Sequence, residues 1–171
     1  WGGSHLLAFA SREAGWRLPR TLCTGGGLAV AWGLYLRERL ADLGHLDRDD
    51  RLLAILQRQA AIRRALVDLD LHLGNLSSTE VRERTVGIQG AGTGSIVSLA
   101  RRPGDALMGV LGWQALARAR RAMSDRGGVG SWEKRFHDRM LARGRIPISL
   151  ILNAELGEGF WSQAQETAAI A

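Results

Sequence analysis

Three observations predict an all-α, multi-helix fold for this 171-residue chain. Apolar residues recur at spacings of three and four rather than alternating, prolines and clustered glycines cut the chain into pieces of helix length, and cap residues stand at the junctions. Ser4 to Ala14 reads as a first helix, capped by Ser4, with His5, Leu6, Phe9 and Ala10 along it and Gly15 near its end. Pro19 and Gly25-Gly26-Gly27 bound a connection into a second helix, Leu28 to Leu43, which Gly44 ends. Leu52, Ile55, Leu56, Ala60, Ile62, Leu66 and Leu69 then mark a long helix from Arg48 to Leu73, acidic at its start as the macrodipole favours and stopped by Gly74-Asn75.

Ser77-Ser78-Thr79-Glu80 supplies cap residues for a short polar helix to Val86, followed by a glycine-rich break from Gly87 to Gly94. A helix from Thr93 or Gly94 to Arg102 precedes Pro103. Another runs from Gly104 to about Ser124, carrying Leu107, Val110, Leu111, Gln114, Ala115 and Ala122. Asp125 to Gly130 reads as a loop, and Trp132 to Arg143 as a helix with Phe136, Met140 and Leu141 on one side. Pro147 is placed to open a last helix through Leu156. Residues 1–157 are expected to form a single helical domain, and 158–171 a tail able to pack back through Phe160 and Trp161.

With 46% apolar and 23% charged residues the composition is that of a folded chain, and no apolar run is long enough to cross a bilayer. No membrane partner is expected. With no basic-then-apolar leader visible either, a cytoplasmic location is expected. Cys23 is the sole cysteine, which excludes an internal disulfide and suits a reducing compartment. The net charge of +6 is almost wholly arginine, Lys134 being the one lysine. Arg63-Arg64, Arg101-Arg102 and Arg118-x-Arg120-Arg121 are interrupted by helix-core residues and lack interleaved aromatics, which argues against a nucleic-acid partner. Gly90-x-Gly92-x-Gly94 has no preceding strand to make a phosphate-binding turn. The chain opens on Trp1 rather than methionine, and an upstream segment is expected to have been removed.

Five ordered blocks carry a resemblance. They are Gly2-Gly3-Ser4-His5-Leu6-Leu7, Val30-Ala31-Trp32-Gly33-Leu34-Tyr35, Ala65-Leu66-Val67-Asp68-Leu69-Asp70-Leu71-His72, Pro103-Gly104-Asp105-Ala106, and Phe136-His137-Asp138 through Gly144-Arg145-Ile146-Pro147-Ile148. In order and spacing they resemble the C-terminal part of the family called domain of unknown function 885, a group of helical zincin-like metallopeptidases, over roughly Gly2 to Ile151. That family's pattern is His-Glu-x-x-Pro-Gly-His-His-Leu-Gln, Glu-Gly-Trp-Ala-Leu-Tyr-x-Glu, a segment like Arg-Leu-Val-Val-Asp-x-Gly-Leu-His, Pro-Gly-Gln-Ala-x-x-Tyr-x-x-Gly, and Phe-His-Asp-x-Leu-Leu-x-x-Gly-x-Leu-Pro-Leu.

The resemblance implies that the chemistry has changed. A zincin grips zinc with two histidines one helical turn apart and a third ligand from a later helix, and a glutamate acts as base on the metal-bound water. Against the family pattern, Ser4 stands at a histidine, Val30 at the third ligand, Arg37 at the next carboxylate and Gly109 at the tyrosine that could serve an oxyanion. No metal and no cofactor is therefore expected.

His5 is a candidate proton carrier or ligand beside a reading as a structural histidine. Asp68 and His72 stand four apart, so carboxylate and imidazole can meet on one helix face as an acid–base pair or as a satisfied buried hydrogen bond. Arg64, one turn earlier, is placed to orient Asp68. Trp32 and Tyr35 line the inherited cleft or pack the core. Arg37 suits an anionic ligand, a neighbouring carboxylate or solvent. His137 and Asp138 are expected to hold helices together.

The leading expectation is a zinc-free descendant repurposed as an enzyme on a small molecule or peptide-derived metabolite. His72, Asp68 and His5 would be catalytic, and Arg37, Trp32, Tyr35 and Arg64 would bind substrate. The alternatives are a non-catalytic peptide-binding or regulatory subunit, whose partner could be a missing N-terminal segment, and an active metallopeptidase completed by an upstream His-Glu segment. An uncovered apolar patch makes a partner subunit or a homo-oligomer an expectation as well.

Overall fold

The structure is a computed structural model and describes residues 27–85, 93–126, 132–143 and 146–162. Among these, seven helices follow one another: α1 (Gly27–Asp42), α2 (Arg48–His72), α3 (Ser78–Thr85), α4 (Thr93–Arg101), α5 (Asp105–Arg126), α6 (Trp132–Ala142) and α7 (Ile148–Leu156). The described residues are all-α, with no strand among them. The first expected helix, Ser4 to Ala14, and the break from Gly87 to Gly92 lie outside the described residues. One boundary differs. Helix α5 continues through Arg126, where a loop is expected from Asp125, because nothing in Asp125-Arg126 breaks a helix.

Local chemistry explains the helix ends. Asp47 caps α2 by accepting the Asp50 N–H at 2.8 Å. Ser77 and Glu80 form a reciprocal capping box at the start of α3: the Ser77 N–H reaches Glu80 Oε2 at 2.8 Å, and the Glu80 N–H reaches Ser77 Oγ at 3.3 Å. Gly74, at φ 77, ends α2 in the left-handed conformation that a side chain would resist, and the Asn75 N–H closes back on the Asp70 carbonyl at 2.9 Å.

Helix α5 is the hub, packed against α1, α2, α6 and α7. Its closest neighbour is α1, and the sequence shows why. Three glycines line the crossing, and a Cβ added at any of them would meet the other helix: at Gly27 it would lie 3.1 Å from Met108 Cβ, at Gly109 2.7 Å from Val30 Cγ1, and at Gly112 2.9 Å from Ala31 Cβ. The backbones approach because nothing stands between them. Trp32, Tyr35, Ala115, Leu116, Phe136, Met140, Ile151 and Leu152 fill the main core around this crossing. Phe160 and Trp161 lie against the same core, and the Trp161 N–H donates to Asn153 Oδ1 at 3.0 Å. A second, smaller cluster holds Val67, Leu76, Val81 and Leu99, drawn from α2, the turn after it, α3 and α4.

Helix α2 differs from its expected role. The residues whose spacing marks it as a helix, Leu52, Ile55, Leu56, Ile62, Leu66 and Leu69, are exposed, and its buried positions are Ala65, Val67 and Asp68. The periodicity identifies the helix correctly, but the side that meets the protein is the one carrying small residues and a carboxylate.

Candidate functional site

The candidate residues fall into two groups that no described contact joins. The first centres on Asp68, which is fully buried. Its carboxylate accepts the backbone N–H groups of Gly104 (3.1 Å), Ala106 (3.0 Å) and Leu107 (3.4 Å), at the start of α5. Gly104 occupies the cap position of that helix and has no side chain to offer, so Asp68 supplies the cap from another helix. Buried carboxylate and helix N-terminus satisfy each other. His72, one turn on, places Nδ1 3.0 Å from Asp68 Oδ1 and 2.8 Å from the Asp68 carbonyl. The expected meeting of Asp68 with His72 is therefore present, yet both carboxylate oxygens are already engaged by α5. Arg64 is half-buried on the same helix and is itself partnered.

The second group lies where α1, α5 and α6 meet. Trp32 and Tyr35 are buried, and Tyr35 Oη lies 2.8 Å from Nε2 of His137. Trp32 meets the His137 ring edge-on with centroids 5.6 Å apart, and Phe136 stands edge-on to Tyr35 at 6.1 Å. Burial pushes the Tyr35 hydroxyl far above its usual range, against the pull of Arg120, so the phenol keeps its proton and can donate to His137. Burial also holds the His137 imidazole below its usual range, although Glu133 draws it the other way. Beside them Arg39 grips Glu133 with two hydrogen bonds, at 2.5 and 2.9 Å, and Arg120 approaches to 3.9 Å. The Arg39 hydrogen bond holds the Glu133 carboxyl low and the guanidinium high. Periodicity gave no sign of this network, because His137 lies 102 residues from Tyr35 and Glu133 lies 94 from Arg39, and they meet only once α1 and α6 are packed.

Arg37 sits half-exposed on α1 and makes no ion pair with a described residue. Val30 is partly exposed and rests over Gly109. His5 and Ser4 lie outside the described residues. Among the described residues no group of three or more His, Cys, Asp or Glu side chains could hold a metal ion. Asp138 points outward and pairs with Lys134 at 2.5 Å.

The family model described as "Bacterial protein of unknown function (DUF885)" matches residues 7–154. The chain belongs to this family. The DUF885 match takes in α1 to α6 and most of α7, so both residue groups lie inside it. No curated protein and no solved structure matches the chain. No described helix is long and apolar enough to cross a membrane.

The Tyr35–His137 contact gives a pH dependence whose sign follows from the burial of the imidazole. An unfolded histidine takes up a proton at about pH 6.5; folded His137 does so at lower pH. Between these values the unfolded chain holds more protons, so stability falls as pH drops through the window and levels off beneath the folded value. Urea midpoints measured from pH 7 down to 5 are expected to decline. His137→Gln, which keeps an acceptor for the Tyr35 hydroxyl but cannot titrate, is expected to decline less steeply. Parallel slopes would show that His137 is not the group responsible.

Proposed function

We propose that this DUF885 member is a non-catalytic helical binding module rather than a zinc peptidase. The Val30–Gly109 contact carries the reading. By the family's motif pattern, Val30 stands at the third zinc ligand and Gly109 at a tyrosine of the cleft, and in this chain the two lie directly against each other in the α1–α5 crossing. A valine side chain has no lone pair for zinc. The position has become part of helix packing, and a side chain at 109 would displace it. The described residues thus do not fit the metal, and no step of a hydrolytic mechanism is derived through it.

Among the described residues, the candidate acid–base pair is engaged in structure. Asp68 closes the α5 N-terminus, and His72 is bound to it. Among the described residues, Trp32, Tyr35 and His137 form a packed aromatic cluster. Among the described residues, the outer face of α2 presents an open groove at its N-terminal end lined by Leu46, Arg48, Arg51, Leu52 and Ile55. Such a face suits an amphipathic helix laid along it.

Two measurements test this. Metal analysis of the purified full chain is expected to find no stoichiometric zinc, and a panel of peptides is expected to survive incubation with it. Stoichiometric zinc together with hydrolysis that a chelator abolishes would overturn the reading. So would turnover of a small molecule that His72→Ala removes while the fold is retained.

A further inference from the structure

We infer that the outer face of α2 is the seat of a second copy of this chain, joined in an antiparallel helix pair about a two-fold axis. This rests on the binding-module reading and names its partner.

The exposed residues of α2 do not form a general apolar scatter. Leu52, Ile55, Gln59, Ile62, Leu66, Leu69 and Leu73 follow one another at steps of three and four throughout, which is the heptad spacing of a coiled-coil seam. The six apolar members are 37% to 65% exposed, and Gln59 is exposed too. A row at this spacing on the solvent side of a helix is matched by another helix, because a 3.5-residue repeat follows a left-handed crossing. The opposite side of α2 packs against α5, α3, α1 and α4.

The extent fits a dimer. The six apolar side chains leave on the order of 500 Å² of apolar surface in water, the upper end of what a soluble monomer carries. With Leu53, Leu56 and the polar flanks, the strip approaches the roughly 800 Å² per partner of a specific interface. A two-fold pairing needs a strip that complements itself, and an apolar heptad row does so by construction.

The helix dipoles select the direction. In a parallel pair the two α2 macrodipoles would be aligned head to head, which is unfavourable. In the antiparallel pair Leu52 lies opposite Leu69 of the second copy, Ile55 opposite Leu66, and Gln59 opposite Ile62, with the axis between Ala60 and Ala61. Arg63 then flanks Leu56, while Arg58 stays over the Trp113 ring of its own copy, 5.8 Å from the centroid, and Ala65 stays buried. The one like-charged approach, Asp49 with Asp70, is offset by Arg84, 3.2 Å from Asp70. The groove lined by Leu46, Arg48, Arg51, Leu52 and Ile55 falls where Leu69 and Leu73 of the second copy arrive.

The test is the mass of the full chain in solution by light scattering and sedimentation across a micromolar concentration series. A dimer is expected, and Leu66→Asp and Leu52→Asp are each expected to weaken association at least tenfold with helical circular dichroism retained. Leu150→Asp, on an equally exposed leucine of α7 outside the strip, is expected to stay dimeric. A monomer at all concentrations, or a dimer indifferent to both strip substitutions, overturns the inference. If the chain is monomeric yet binds a synthetic heptad-leucine helix in a way that Leu66→Asp abolishes, the binding-module reading stands and the second copy falls. If it neither dimerises nor binds that peptide, both fall.

Discussion

Replacing Asp68 by alanine is expected to cost about 3 to 4 kcal/mol, enough to remove much of the stability of a domain this size. The carboxylate is fully buried and accepts from Gly104, Ala106, Leu107 and His72. Loss of an ordinary helix cap costs about 1 kcal/mol. Here the damage is larger, because the donors left behind sit in the interior, and each buried unsatisfied N–H costs roughly 1–3 kcal/mol. Asp68→Asn keeps one acceptor oxygen for the α5 N–H groups and is expected to lose about half as much. Urea unfolding of the two variants checks this. Were the pair instead a catalytic acid and base with little structural duty, Asp68→Ala would leave the midpoint near that of the parent, and the cap assignment would fail. His72→Ala separates the roles further: its side chain is 27% exposed and contributes one partner to Asp68, so its cost is expected to be about 1 kcal/mol.

Asp68 also shows what a single sequence can and cannot reveal. Its neighbour at four residues, His72, is readable from helical spacing, and the two do meet. Its principal partners lie 36 to 39 residues away, in a turn whose cap position is a glycine. Only tertiary packing brings that turn to α2. The Ser77–Glu80 capping box, by contrast, is local and was legible in full. Helix α2 divides the two cases within one element: the spacing of Leu52, Ile62 and Leu66 reports a helix but not which side is inward, because an apolar row facing solvent and one facing a core have the same period. The buried side is marked by Ala65 and Asp68, whose value depends on α5. Likewise Trp32 and Tyr35 were legible as an aromatic pair, while the Arg39–Glu133–Arg120 group was not.

Restoring an aromatic at the crossing, Gly109→Tyr, is expected to cost about 3 kcal/mol, at the upper end of overpacking effects. A Cβ there would already stand 2.7 Å from Val30 Cγ1 and 3.0 Å from Val30 Cβ, and a ring has no free volume to enter without parting α1 from α5. Gly109→Ala is the finer probe, because two effects oppose. Alanine favours the helix by about 1 kcal/mol over glycine, whereas the contact with Val30 must be relieved by a shift of the backbone, at about 1–3 kcal/mol. The contact is expected to win, giving net destabilisation. In a Val30→Ala background the Cγ1 atom is gone, the remaining 3.0 Å approach needs only a few tenths of an ångström of relief, and Gly109→Ala should cost less or become stabilising. A double-mutant coupling of roughly 1 kcal/mol would express that difference. If Gly109→Ala instead stabilises the parent by the full helix increment, the crossing is looser than its geometry implies. Val30 is then free to give way to a carboxylate without penalty, and the zinc-free reading loses its structural ground.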